Sequence, residues 1–133
     1  SRLGSHQGAS AGAVAPRGHL FQLRRLNPAT VTIKAPDRSG YYPGASPIDI
    51  QVTYDTETCK LLGVEMVGEA GVAHRINVAA TAISSGLTAH EFSQLDLAYA
   101  PPFSPVWDPL QTACNQINAE SSKVMCKHMQ CLV

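Results

Sequence analysis

A strict alternation of apolar and polar residues between positions 48 and 54 is the feature that most constrains the fold of this chain. Every second position there holds a large apolar or aromatic side chain: Ile48, Ile50, Val52 and Tyr54. Because successive side chains of a strand point to opposite faces, this period predicts a β-strand with one buried face. Residues 30–35 alternate in the same way and predict a strand before it.

A third strand is predicted over residues 60–68, after a short polar turn. The shortness of that turn indicates an antiparallel hairpin with the preceding strand. Leu61 and Val67 are predicted to lie on the secondary face of this strand, which we expect to be partly covered. The residues predicted to share its main apolar face are Leu62, Val64 and Met66.

Helical signals follow the strands. Apolar residues from Val72 to Ile83 recur at helical spacing, and Gly86 is a natural end for that helix. Thr88 and Glu91 form a capping box, which predicts a second, short helix that starts near residue 88 and ends near residue 95.

Prolines and a capping pair organise the last part of the domain. Residues 96–107 contain three prolines, so they predict a stiff loop without regular structure. Asp108 followed by Pro109 predicts the N-cap and the first residue of a third helix. The predicted apolar stripe of this helix comprises Leu110, Ala113, Cys114 and Ile117.

Strands that precede helices predict an α+β fold, an antiparallel β-sheet with helices packed on it. We place the domain at residues 29–120. Residues 1–28 are rich in glycine, alanine and serine and show no sustained period, so we interpret them as a linker or a cloning remnant. Residues 121–133 are interpreted as a C-terminal tail.

The composition of the chain argues against several classes of function. The 10 basic and 10 acidic side chains balance, so charge makes no case for nucleic acid or an anionic membrane as a partner. The sequence lacks a run of about 18 apolar residues, and we therefore expect no membrane span. It also lacks a glycine-rich phosphate loop, so we expect no cofactor to be held by this chain itself.

The four cysteines form no Cys-x-x-Cys pair, which indicates a reducing, cytoplasmic setting. Cys59 follows a strand and is interpreted as a bystander. Cys126, His128 and Cys131 lie close enough to raise a metal site, but their spacing fits no standard zinc pattern, and an ordinary tail is the favoured interpretation. A small thiol-handling protein that uses Cys126 and Cys131 stays open as an alternative.

Three segments carry a resemblance to a known family. They read YYPGA at residues 41–45, GVAHRIN at 71–77 with AATAI at 79–83, and DLAYAPPFS at 96–104 closed by DPL at 108–110. In order and spacing they resemble the C-terminal dimerisation domain of the pyridine nucleotide-disulfide oxidoreductases, and within them the coenzyme A-disulfide reductase and NADH oxidase branch. The resemblance runs from about residue 29 to about residue 118, and its YAPPFS segment is specific.

The resemblance implies an antiparallel sheet flanked by helices, in agreement with the fold predicted from the patterns. It also implies an FAD- and NAD(P)H-dependent enzyme, in which a flavin domain and a nicotinamide domain precede this one. Neither domain, nor the active cysteine of the branch's flavin domain, lies within these 133 residues. We therefore expect FAD and NAD(P)H only in the full-length enzyme, an inactive isolated chain, and as partner a second copy or a full-length reductase.

The resemblance also implies two site residues. Two tyrosines of the branch lie near the thiol substrate in the partner's active site, and by motif position they correspond to Tyr41 and Tyr99, with Tyr42 as the fallback for the first. Tyrosine, whose unperturbed pKa is about 10, stays protonated near neutral pH. A phenol can therefore donate a hydrogen bond or a proton to the thiolate that leaves a cleaved disulfide. The alternative interpretation is that Tyr41 and Tyr42 are packing aromatics at a strand entrance and that Tyr99 anchors its loop through a hydroxyl bonded to the backbone.

Three further residues are predicted at the interface between subunits. Phe103 and Trp107 are large apolar side chains in a loop, which often anchor interfaces, although core packing stays open for both. Arg75 lies near the start of a helix, where the dipole disfavours a cation, so a carboxylate or a partner contact should compensate. A structural ion pair is favoured over a ligand contact there. As a second function, the chain would be a free-standing binding or adaptor protein with the same fold and no redox chemistry.

Overall fold

The computed structural model describes residues 10–14, 27–97, 105 and 107–130. In these residues the elements follow one another as β1 (Ser10–Val14), β2 (Pro28–Pro36), β3 (Pro47–Asp55), β4 (Leu61–Gly68), α1 (Val72–Ser84), α2 (Ala89–Ser93) and α3 (Pro109–Gln130). Strands thus precede helices, as the sequence predicts.

The strands form one antiparallel sheet in the order β1-β4-β3-β2. Helix α1 packs on β1 and β4, and α3 packs on β2 and β3, so the two helices cover one face of the sheet side by side. The predicted α+β fold class is confirmed. Because neighbouring strands run antiparallel, the β2–β3 loop and the β3–β4 turn lie at opposite ends of the sheet.

The core is centred on the alternating side chains of β3. Ile48, Ile50 and Val52 have no exposed surface, and each such aliphatic side chain contributes about 1.5–3 kcal/mol when fully buried. The predicted apolar stripe of α3 covers them, and its members are at most 2% exposed: Leu110, Ala113, Cys114 and Ile117. Both patterns therefore identify core residues correctly.

The capping box at the start of α2 is present. The amide of Glu91 donates to the Thr88 hydroxyl at 3.1 Å, and that hydroxyl lies 3.2 Å from the Glu91 carboxylate. The amide of Ala89 then donates to the carbonyl of Cys59 at 2.8 Å, which joins α2 to the β3–β4 turn. Helix α2 is thereby fixed at the sheet end that lies away from the β2–β3 loop.

Strand β1 corrects the prediction of a linker or a cloning remnant for residues 10–14, which lie within the predicted range 1–28. It pairs along the edge of β4, with Gly12 opposite Met66. Its five residues read SAGAV, which is too short and too poor in large side chains to show a β period. A Cβ atom on Gly12 would collide with Ile76 of α1, so the lack of a side chain at Gly12 lets that helix lie close to the sheet.

A β-bulge corrects the predicted faces of β4. Thr53 pairs with Gly63, whereas the next residue, Tyr54, pairs with Leu61, so β4 carries one extra residue at Leu62. Leu61 consequently turns into the core with 4% exposure, and Leu62 is only half-buried. The secondary face is also open further along, where Val67 is 49% exposed.

The C-terminal boundary also differs from the prediction, because α3 continues through the expected domain end at residue 120 to Gln130. Residues 121–130 are therefore helical and not a separate tail. The side chains of Cys126, His128 and Cys131 lie outside the described residues. None of the described helices is long and apolar enough to cross a membrane.

Candidate functional site

The predicted site residues lie in two loops. The first loop, residues 37–46, connects β2 to β3 and carries Tyr41, which is 74% exposed, and Tyr42, which is 37% exposed. The second loop, residues 95–108, connects α2 to α3; Tyr99 belongs to it but lies outside the described residues. The described structure therefore places one of the two predicted tyrosines and shows how the ends of both loops are held.

The first loop is closed at its base by Asp37 and Ser46. The amide of Asp37 donates to the Ser46 carbonyl at 2.9 Å, and the Ser46 amide donates to Asp37 Oδ1 at 2.7 Å. The other carboxylate oxygen, Oδ2, accepts from Nε of Arg38 at 2.9 Å and pairs with its Nη2 at 2.7 Å. Burial opposes the charged form, yet the hydrogen bonds from Arg38 and Ser46 lower the pKa of Asp37 below its usual 3.8.

The second loop is closed at its base by Gln111, which is 4% exposed. Its Nε2 donates to the carbonyl of Leu95 at 2.6 Å, and its Oε1 accepts from the amide of Asp108 at 3.3 Å. One side chain of α3 thus binds both ends of the loop. Asp108 in turn caps α3, because its Oδ1 accepts from the amide of Leu110 at 2.9 Å.

Arg75 of α1 joins the two loop bases. Its Nη2 donates to the carbonyl of Asp37 at 2.7 Å, and its Nε donates to Asp108 Oδ2 at 2.9 Å. Its Nη1 donates to the carbonyl of Gly71 at 2.8 Å. The side chain is 1% exposed, so the charge of Arg75 is compensated in the interior of the chain.

Gly71 makes room for this arginine. It is the N-cap of α1 and has φ of 76°, in the left-handed region that glycine enters without a Cβ penalty. A Cβ atom there would collide with Nη1 of Arg75. The neighbouring His74 is affected as well: burial first, and then the positive charge of Arg75, lower the pKa of His74 below 6.5, although Asp108 acts in the opposite direction.

Comparisons with known proteins agree with this architecture. The family profile described as the dimerisation domain of pyridine nucleotide-disulphide oxidoreductases matches residues 22–110. The chain belongs to this family. The resemblance seen in the three sequence segments is thereby confirmed.

The relatives fall in the expected branch. The chain is 48% identical to the NAD(P)H coenzyme A polysulfide/persulfide reductase of Pyrococcus horikoshii over 81 residues. The aligned region is 61% of this chain and 18% of that protein. The chain is 36% identical to a coenzyme A disulfide reductase of Staphylococcus aureus over 83 residues. This aligned region is 62% of this chain and 19% of the reductase. The dimerisation domain therefore spans about a fifth of these relatives.

A solved structure shows the same fold in a related enzyme. The NAD-dependent persulfide reductase from A. fulgidus superposes with a TM-score of 0.79 and 34% sequence identity. The match covers 86% of this chain and 22% of that one. The family profile matches only residues 22–110, which is a smaller share of the chain than the superposed 86%. The agreement in fold therefore extends beyond the segments that carry the sequence resemblance.

The predicted interface residues of this dimerisation domain have three different outcomes. Trp107 is 60% exposed and lies beside Leu95 and Leu97 at a cleft of about 330 Å³, so it offers apolar surface. Phe103 lies outside the described residues. Arg75 forms the predicted structural ion pair; its interface role is not supported, because its own chain covers the side chain.

A second cleft of about 270 Å³ lies at the other end of the sheet, lined in part by Cys59, His90 and Ser121. Cys59 has φ of 60°, and its Sγ lies 3.1 Å from the hydroxyl of Ser121. Cys114 is a core residue, and burial raises the pKa of its thiol to about 12. In the part of the chain that the structure describes, His, Cys, Asp and Glu side chains form no group of three that could hold a metal ion.

Neither of these two clefts offers the groups that hold the phosphates of a flavin or a nicotinamide nucleotide. Such cofactors need cationic side chains or a cradle of backbone amides for their phosphates. Neither cleft has a lysine or arginine in its lining, and the cleft beside Trp107 includes the carboxylate of Asp96. No chemical step can therefore be assigned to a cofactor on these residues.

Gln111 is the site residue that sequence reasoning missed, although a signal was present. It stands three positions after the N-cap Asp108, which is the position of the glutamate or glutamine in a capping box. Its Oε1 makes the reciprocal bond to the N-cap amide that this motif predicts. The bond of Gln111 to Leu95 could not be read from the motif, because it depends on where the second loop begins in space.

Proposed function

We propose that this chain is the homodimerisation domain of an FAD-dependent NAD(P)H:disulfide oxidoreductase of the coenzyme A-disulfide reductase and NADH oxidase type. It offers tyrosines to the active site of the partner subunit and has no activity alone. FAD and NAD(P)H belong to other domains of the full-length enzyme. Its partner is a second copy of the same chain or a full-length reductase.

The observation that carries this proposal is the placement of Tyr41. Its ring is 74% exposed, although the base of its loop is fixed by the buried Asp37 carboxylate and by Arg75. A ring that served only for packing at the strand entrance would be largely buried. An exposed phenol on a fixed support can donate a proton or a hydrogen bond to a thiolate on another molecule without first ordering its loop.

Pairing of two copies is supported by exposed apolar surface. Trp107 and Leu95 are 60% and 37% exposed and lie at one cleft, and large apolar side chains of this kind anchor interfaces. A two-fold interface would bury the same patch on both subunits. The free thiols of Cys59 and Cys114 support a reducing compartment, and we place the protein in the cytoplasm.

A domain exchange tests the proposed role of the tyrosines. Residues 10–130 of this chain, which include β1 and all of α3, replace the matching domain of the Pyrococcus horikoshii reductase. Tyr41→Phe and Tyr99→Phe are then compared with the unaltered hybrid in NAD(P)H-dependent disulfide reduction. Loss of general acid catalysis at either phenol predicts that kcat falls by about 10²–10⁴-fold.

Tyr42→Phe distinguishes Tyr41 from its fallback, because it removes the same hydroxyl from the adjacent position of the first loop. We expect it to retain kcat within about twofold. Flavin absorbance and sedimentation confirm that each hybrid is loaded and assembled. If Tyr41→Phe, Tyr42→Phe and Tyr99→Phe all retain kcat within about twofold of the unaltered hybrid in assembled hybrids, the tyrosines have no catalytic role and the proposal fails.

A further inference from the structure

We infer that Arg75 is a positioning residue that couples the two tyrosine loops, so that the base of one loop is ordered only while the other is in place. Its importance for catalysis rests on the proposed function, whereas the coupling itself is a property of this chain. Nothing in the motif around Arg75 assigns it this role. It follows from the elements that its guanidinium reaches.

Three acceptors of Arg75 belong to different parts of the chain. The carbonyl of Asp37 is at the first residue of the first loop, and the carboxylate of Asp108 is at the last residue of the second loop. The carbonyl of Gly71 holds the same guanidinium at the start of α1. Because the guanidinium is planar and rigid, its position relative to one acceptor determines its position relative to the others.

The two ends of this connection are fully engaged in holding their loops. The carboxylate of Asp37 accepts from Ser46 across the base of the first loop, while the carbonyl of the same residue accepts from Arg75. The carboxylate of Asp108 accepts from Leu110 through Oδ1 and from Arg75 through Oδ2. A displacement of either loop base therefore reaches the other through one side chain.

The alternative is that Arg75 only neutralises a buried charge and stabilises the whole domain. The two cases differ in where a perturbation of the second loop is felt. Global stabilisation predicts that amides in the central strand, such as those of Ile50 and Val52, respond as much as the first loop does. Coupling predicts a response that is confined to the loop bases.

The perturbation is Asp108→Asn. Asparagine is as good an N-cap as aspartate, but its amide nitrogen cannot accept a hydrogen bond, so it cannot serve both Leu110 and Arg75. Hydrogen exchange of single amides is followed by NMR in the 133-residue chain. We expect the amides of Asp37 and Ser46 to exchange about 10- to 150-fold faster, the change that a lost hydrogen bond to a charged group produces.

The decisive comparison is a double-mutant cycle. With Arg75→Met already present, Asp108→Asn should produce no further change at Asp37 and Ser46, because the connection is gone. If Arg75→Met does not fold, Arg75→Lys takes its place in the cycle. Lysine keeps the charge but not the planar fork, so coupling should be reduced and not restored to the wild-type level.

Thr88→Asn is the matched control, since it exchanges the N-cap of α2, which lies beside the β3–β4 turn at the other end of the sheet, for another good cap. It should leave the first loop unchanged. Equal responses of Asp37, Ile50 and Val52, or the same effect of Asp108→Asn with and without Arg75, would overturn the inference. Neither result depends on the tyrosine kinetics or on self-association, so failure of the proposed function is recognised separately.

Discussion

Replacement of Gly71 by alanine should destabilise the domain far more than an ordinary glycine replacement. The φ of 76° places an alanine in the left-handed region, at a cost of about 1–2 kcal/mol. The new Cβ would also displace the guanidinium of Arg75, which donates at 2.8 Å to the carbonyl of Gly71 itself. Loss of one such charged hydrogen bond costs about 1.5–3 kcal/mol.

The two contributions predict that the free energy of unfolding falls by about 2.5–5 kcal/mol. For a domain of this size the midpoint of thermal unfolding should fall by more than about 10 °C. Urea and thermal unfolding followed by far-ultraviolet circular dichroism measure both quantities. Gly40→Ala is the control, because a Cβ there meets no atom within 4 Å. If the two variants differ by less than about 0.5 kcal/mol, our account of the Arg75 site is wrong.

Two further predictions concern titrating groups. Because the folded-state pKa of Asp37 is lowered, its ionisation stabilises the fold above about pH 3.8, and this contribution is lost as the pH falls through the folded-state pKa. Urea unfolding between pH 5 and pH 2 should therefore show a shallower loss of stability for Asp37→Asn than for the wild type, and parallel curves would contradict this. Because the pKa of Cys114 is about 12, iodoacetamide at pH 7.5 should leave it unmodified in the native chain and label it after unfolding, as peptide mass spectrometry can verify; rapid labelling in the native state would show that it is not a closed core residue.

Local patterns predicted most of the fold because each element carries its own signal. The alternation of β3 identifies Ile48, Ile50 and Val52 as core, and the Asp108-Pro109 pair identifies the start of α3. These signals depend only on the chain within a few residues. The fold class followed from their order.

The parts that the sequence did not predict depend on contacts between distant residues. β1 is held by the edge of β4 and by the close approach of α1 to Gly12, so its small side chains give no local period. The bulge at Leu62 is fixed by the pairing of two strands and reverses the face of Leu61. A period of two cannot reveal an added residue, because the alternation looks regular on either side of it.

The candidate site was predicted in part for the same reason. Motif resemblance predicts Tyr41 as a site residue, which stays a prediction, and the helix dipole indicated that a carboxylate or a partner contact should compensate Arg75. The carboxylate that compensates Arg75 is determined by the tertiary structure, because Asp108 lies 33 positions further along the chain. The same holds for Asp37, whose carbonyl is brought to Arg75 only by the packing of the first loop on α1.

The most direct test of the central claim, that the tyrosines act in the partner's active site, is complementation between two inactive hybrids of the domain exchange. One carries Tyr41→Phe and Tyr99→Phe; the other has serine in place of the active cysteine of its flavin domain. After dissociation and equal mixing, each mixed dimer holds one complete site only if the tyrosines cross the interface, so activity should recover to about a quarter of the unaltered hybrid. Activity that stays at the level of the separate parents, in a mixture shown to contain mixed dimers, would contradict the account.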